Sequence, residues 1–436
     1  MNQNQLLELI RLLAPQIQDF LGGGATVSFK NKIRDISGIE IPQNGGAIGQ
    51  GNSILLCAEN QGGDVVVVQF TRSSLPFSPT ELHFINQLCK GLTVLARGFD
   101  DPKHAVHHRT AILTTAFDIA VARFLRGDTR HFANVQRVIE IAKNLTFQRY
   151  EGAPCTSGLI YINKPTKGFL NYIGELGYRI AKTPMVRATS NFFGAPLSYR
   201  YVDGVQSAYL LVSPATCMGI VQLDPACHIS LADQGTHGQY RPLLGITGAG
   251  SFAAFVTPNS EVDVLFAPDG ILRWRKGRWI LIELGRLASI FNEHINNLDT
   301  AKLLCEIVVG IAAIRHGALI LLSDHTSEEI GIIRRIDDTE IGKMLRKSLL
   351  TLHILEAYRS GVFVAAVTSD GMTIIDSTGV VRDSGALVDL AGAKAPGGGG
   401  RTAAAQSASR HGLVIKISED GPMQLWRYGE LLMQTG

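Results

Sequence analysis

The residues best able to do chemistry lie in one stretch toward the end of the sequence. Asp370-Gly371 follows the apolar run Val362-Phe-Val-Ala-Ala-Val-Thr-Ser, and a carboxylate at a strand end can hold a divalent cation. Further on, Gly397-Gly-Gly399-Gly400 runs into Arg401-Thr402 and an alanine-rich stretch that reaches Gln406. Glycines ahead of a helix leave backbone N–H groups open to a phosphate, and the helix dipole favours the anion. Arg401, Thr402 and Gln406 are then placed to face one ligand. Each motif also has a plainer reading. Asp-Gly suits a tight hairpin turn, and four glycines suit a surface connector. Arg410-His411 ends the same helix, where cations offset the dipole. Asp324-His325, after the apolar run 319–322, is placed to reach a base or a metal.

Other clusters are weaker. His104, His107 and His108 have the density of a metal site, but no Cys or carboxylate stands at a partner offset, so they read as a solvated helix entry. Arg273-Trp-Arg-Lys-Gly-Arg-Trp279 interleaves basic and indole side chains, a pattern that can stack on bases. A hairpin with aromatics on one face and snorkelling arginines on the other explains it without nucleic acid, and no second basic stripe supports a nucleic-acid partner. The six cysteines are scattered, with no C-x-x-C pair, which predicts reduced, mostly buried thiols and a cytoplasmic protein. A net charge of +3 is too small for a nucleic-acid scaffold or a membrane-surface protein. Residues 303–322 are the most membrane-like run, but Glu306, Arg315 and His316 interrupt it. A helix ending near Arg315 and a buried strand from Ala318 fit better than a bilayer span, so no membrane partner is expected.

The order of motifs carries a resemblance. Asp370-Gly371, then Gly-x-Arg401 with an alanine-rich helix, then Val414-Ile-x-x-Ser418-Glu419 resembles the diadenylate cyclase domain of DNA-integrity scanning proteins. That family has Asp-Gly-Ala, Gly-Thr-Arg-His-Arg-Ala-Ala and Val-Ile-Val-Val-Ser-Glu. His316-Gly-Ala-Leu-Ile-Leu-Leu322 is similar to its Gly-Ala-Leu-Ile-Val strand, and the likeness covers residues 300–428. It implies Asp370 as catalytic and metal-binding residue, with Mg²⁺ or Mn²⁺. It implies Gly371, Gly399, Gly400, Arg401, Thr402, Gln406, Ser418 and Glu419 as nucleotide-binding residues. Met372 replaces the family's alanine, and Thr402 and Ala403 replace two residues of its basic triplet. Two lost charge-assisted hydrogen bonds, each worth about 1.5–3 kcal/mol, remove roughly two to four decades of triphosphate affinity. The chain therefore resembles a divergent branch (DACNV-like) proposed to sense nucleotides. The implied function is a cytosolic sensor of an adenine nucleotide or cyclic dinucleotide, compatible with a homo-oligomer; the alternative is an active cyclase joining two ATP.

These residues need a scaffold. The C-terminal segment, 296–436, reads as an α/β sandwich: a mixed sheet of 319–322, 362–367, 372–375 and 413–418 with helices packed on it. Ile341, Met344, Leu345, Leu349, Leu352, Leu355 and Tyr358 repeat as one helix face, opened by Asp337-Asp338-Thr339 and ended by Gly361. Upstream, 1–100 reads as a small α/β domain resembling a GAF-type sensor. It has a helix from Leu6 to Phe20 ended by Gly22, strands at 53–58 and 64–70, and a capping box at Ser78-Pro-Thr-Glu81. Residues 101–295 read as an α+β region, helical over 111–125 and 135–145 and strand-rich from 158. They close in a three-stranded meander over 262–279 and a helix over 284–291. The join to the last segment is expected near 292–300.

Overall fold

The computed structural model describes residues 13–22, 25–30, 46–59, 65–72, 75–97, 115–126, 132–163, 168–213, 215–223, 237–247, 250–336, 339–390 and 399–435. His104, His107, His108, Asp337, Asp338, Lys394, Gly397 and Gly398 lie outside the described residues. The chain is α/β, with mixed sheets flanked by helices, and divides into two compact units. One comprises 1–228 and 240–282; the other comprises 229–239 and 283–436.

The first unit holds two sheets. A four-stranded antiparallel sheet, in the order Thr26–Lys30, Val65–Thr71, Ser53–Glu59, Gly46–Gln50, packs on the helix Pro79–Arg97. That helix begins at the expected capping box: the Glu81 N–H donates to Ser78 Oγ at 3.0 Å, and the Ser78 N–H donates back to Glu81 at 2.7 Å. An eight-stranded sheet follows, antiparallel except where Ser157–Ile162 lies beside Ser207–Val212. One apolar core runs through helix 13–21, helix 115–125, Phe132–Leu145 and both sheets.

The meander forms as anticipated, from Val262–Phe266, Gly270–Arg275 and Arg278–Glu283, but Arg273 and Arg275 do not snorkel. Arg273 stands directly across from Asp263 and donates to both its carboxylate oxygens, at 2.6 and 2.8 Å, with both side chains buried. Arg275 makes the same paired contact with Glu261, at 2.5 and 3.1 Å. Trp279 is buried as well. Burial alone would lower the Arg273 pKa, but the charge and hydrogen bonds of Asp263 outweigh it and raise the pKa instead. Arg273, Arg275 and Trp279 are thus taken up inside the sheet, while Trp274 is half-buried and Arg278 exposed.

The second unit carries the candidate chemistry. Helices α1 (Leu284–Asn292) and α2 (Leu298–Ala313) lead to strand β1 (Ala318–Leu322). Next come α3 (Ser327–Ile330), β2 (Ile332–Arg335), α4 (Glu340–Leu349), α5 (Ile354–Arg359) and α6 (Val362–Thr368). The rest is β3 (Met372–Ile375), β4 (Val381–Val388), α7 (Gly400–Ala408), β5 (Leu413–Ile417), β6 (Met423–Arg427) and β7 (Glu430–Thr435). The sheet order is β2-β4-β3-β1-β5-β6-β7, with β1 and β3 parallel. All five residues of β1 are buried, as a strand covered on both faces requires. Leu319, Leu321, Met372, Ile374 and Val414 form a core with Ala405 and Ala408 of α7 on one face, and α2 and α6 pack on the sheet as well. No helix among the described residues is long and apolar enough to cross a membrane.

Two expectations fail locally. Residues 362–367 are helix α6, not a strand. Gly361, at φ 77°, ends α5 and turns the chain, after which Phe363 and Val367, four residues apart, bury one helical face. A short apolar run is compatible with either period, and here the Gly361 turn selects the helix. The long helix through Tyr358 is two helices. The Thr351 N–H donates to Val381 O, and the Val381 N–H donates to Leu352 O, tying the break to β4. Thr339 does cap α4, accepting the Gly342 N–H at 3.1 Å. The expected apolar face of α4, Ile341, Met344 and Leu345, is more than half exposed.

Candidate functional site

Three anticipated residues converge at the end of the sheet where β1 and β3 begin. Arg401, in the first turn of α7, donates through Nη2 to Asp370 Oδ1 at 2.9 Å and through Nη1 to Glu419 Oε1 at 3.1 Å. Asp370 sits between α6 and β3, and Glu419 follows β5, whose end at Ile417 lies opposite Ala318 in the ladder. The guanidinium lies over Gly317, where a Cβ would stand only 2.0 Å from Nη1. Gly317 is thus the residue that lets Arg401 reach both acids. The two carboxylates are mostly exposed and the guanidinium is about one-third exposed, so the cluster is open to a ligand.

Ser369-Asp370-Gly371 links a helix to a strand rather than making a hairpin. Gly371 has φ +89°, and a Cβ there would lie 2.5 Å from the carbonyl carbon of Gly385, itself at φ +68°. This is a close approach of two backbones. Gly371→Ala is expected to destabilise the protein by about 2–5 kcal/mol, combining left-handed strain with overpacking; urea unfolding midpoints would measure it.

Gly399 caps α7 without a side-chain bond, and its carbonyl accepts from the Thr402 and Ala403 N–H groups. The N–H groups of Gly400 and Arg401 find no acceptor among the described residues, the arrangement an anion requires at a helix start. A Cβ on Gly399 or Gly400 would meet nothing within 4 Å, so packing does not demand glycine at either. Thr402 is half-buried on the same turn. Gln406 is engaged elsewhere: its Nε2 donates to Gly429 O at 3.1 Å, in the turn between β6 and β7. Ser418 serves the tight turn after β5, its N–H bonded to Pro422 O and its carbonyl to the Gly421 N–H.

A residue that sequence reasoning passed over is Lys416. It lies in β5 at 9 % exposure, and its Nζ donates to Gln424 Oε1 at 3.0 Å. Burial, and then repulsion from Arg401, lower its pKa. The signal was present as a single cation inside the apolar run Leu413-Val-Ile-Lys-Ile417. Beside Asp370, a cavity of about 260 Å³ extends between α4 and α6, with apolar walls from Leu345, Leu349, Val362 and Ala366.

Asp324 and His325 are not part of this cluster. They follow β1 at its other end, where Asp324 accepts the Ser377 N–H at 2.8 Å. Arg410 and His411 lie beyond the last turn of α7 rather than within it. Cys89, Cys155, Cys217 and Cys305 are buried, as expected, and no disulfide joins them. No group of three or more ligating side chains stands ready for a metal among the described residues. The chain matches no protein-family profile, no curated protein and no solved structure.

Proposed function

We propose that the second unit binds an adenine nucleotide or a cyclic dinucleotide and acts as a sensor of it. The observation that carries this reading is the sharing of the Arg401 guanidinium between Asp370 and Glu419 at the start of α7. An incoming phosphate takes over Arg401 and the open N–H groups of the helix start. The two carboxylates, released from Arg401, offer hard oxygen ligands. Such a pair, completed by phosphate oxygens, suits Mg²⁺ or Mn²⁺, which the protein need not hold in a closed cage. The ion would offset charge between the carboxylates and the phosphate. The apolar cavity beside Asp370 provides room for a base. The ordered motifs shared with diadenylate cyclase domains support the same assignment.

Sensing is favoured over synthesis by the cations. A cyclase must hold two triphosphates in line for attack, which calls for several fixed positive charges. Thr402 and Ala403 remove two of them, and buried Lys416 is already bonded to Gln424. A thermal-shift screen of the full chain with ATP, cyclic di-AMP and linear dinucleotides tests the reading. A true ligand at a hundred times its Kd stabilises by about 2.7 kcal/mol. With ATP and Mg²⁺ or Mn²⁺, no cyclic di-AMP is expected; its formation, abolished by Asp370→Asn, would make the protein an enzyme instead.

A further inference from the structure

The second unit has another cavity, at the opposite end of the strands from Arg401. Asp370 precedes β3 and Gly317 precedes β1, whereas Ser323–His325 and Asp376–Ser377 follow these two parallel strands. In open α/β sheets, small molecules bind in crevices outside the carboxyl ends of parallel strands. Here those ends open on a cavity of about 370 Å³ lined by Glu293, His294, Asp324, Arg410, Arg427 and Tyr428, among others. That volume is within the range of small-molecule sites.

The lining is strongly charged yet balanced. Arg427 donates to Glu293 at 2.7 Å, Asp324 accepts the Ser377 N–H, and Arg410 supplies a second positive charge. Burial pushes the pKa of His294 and of His411 down, helped at His294 by Arg427 and at His411 by His325 and Arg410. Both rings are therefore neutral near pH 7. The Nε2 of His294 is buried and has no hydrogen-bond partner among the described residues. A group in that state is costly and calls for a partner. At the rim, Tyr428 is 78 % exposed at φ +56°, its N–H donated to Ser409 O at 2.8 Å. A non-glycine residue held there is uncommon and worth explaining.

These features select among ligands by charge. A phosphate dianion would leave the two-plus, two-minus lining with a net negative charge, and a divalent cation would do the reverse. A zwitterion leaves the balance intact and answers both signs. We propose that this cavity binds a small zwitterion of the α-amino-acid class, its carboxylate toward Arg410 and Arg427 and its ammonium toward Glu293 and Asp324. The His294 Nε2 supplies a further hydrogen bond, and the Tyr428 ring covers the mouth. This site is separate from the nucleotide cluster and stands or falls without it.

The test is calorimetric titration of the full chain with each of the twenty standard amino acids, and with inorganic phosphate and acetate as controls. At least one amino acid should bind, and Arg427→Gln and Glu293→Gln should each weaken it tenfold or more. Circular dichroism would confirm that both variants fold; Asp324→Asn replaces Glu293→Gln should that variant unfold. Binding of phosphate or acetate without any amino acid would overturn the proposal. So would the absence of binding at millimolar concentration, or amino-acid affinity unchanged in all folded variants.

Discussion

Asp263→Ala is expected to destabilise the protein by about 3–5 kcal/mol, because it strands the Arg273 guanidinium in the interior without its counter-ion. Arg273 is 2 % exposed and Asp263 1 %, and two parallel hydrogen bonds join them across adjacent strands. The large cost belongs to breaking the pair, not to the pair's net worth. Replacing both residues by apolar ones of similar volume, as in Asp263→Leu with Arg273→Met, should recover most of the loss, since a buried pair gains little over good packing. Chemical denaturation of the single and double variants measures both. A loss below about 1 kcal/mol in Asp263→Ala would mean that the guanidinium finds water or another partner. The same geometry gives Arg273 and Arg275 a structural role, since both charges are consumed inside the sheet.

Arg401→Ala is the second large effect. It should weaken binding of ATP or cyclic di-AMP by roughly 10- to 150-fold, the value of a charge-assisted hydrogen bond at about 1.5–3 kcal/mol. Two further contributions act on this figure. Arg401 already bonds Asp370 and Glu419, so exchanging partners reduces its net gain on binding. Its removal, however, leaves two unneutralised carboxylates facing the phosphate, which increases the loss at low divalent-metal concentration. The variant should therefore recover partially as Mg²⁺ is raised. Gly317→Ala is a gentler version: its Cβ would displace the end of a flexible Arg401 side chain, so affinity should change with little cost in stability.

Much of this architecture is readable in the sequence where local signals agree. The apolar run Ala318–Leu322, set off from the preceding helix by Arg315-His316-Gly317, reads as the buried strand it forms, and Ser78 with Glu81 fixes a helix start through short-range hydrogen bonds. Asp370, Arg401 and Glu419 are recognisable by residue type and order, but their convergence depends on how β3, α7 and β5 are placed, which spacing does not encode. The misreadings share a cause. Residues 362–367 satisfy both a strand and a helix pattern, and Gly361 decides between them. The break after Leu349 comes from backbone bonds between Thr351, Leu352 and Val381, partners distant in sequence. Burial of Arg273, the engagement of Gln406 by Gly429 and the burial of Lys416 are likewise tertiary facts.

The most direct test of the proposed nucleotide site is hydrogen–deuterium exchange of the full chain with and without saturating ATP or cyclic di-AMP. Exchange should slow at 369–372, 399–403 and 418–421, the backbone around Asp370, the start of α7 and Glu419, and that protection should be lost in Arg401→Ala. Protection confined to other segments, or unchanged by Arg401→Ala, would contradict the proposed site.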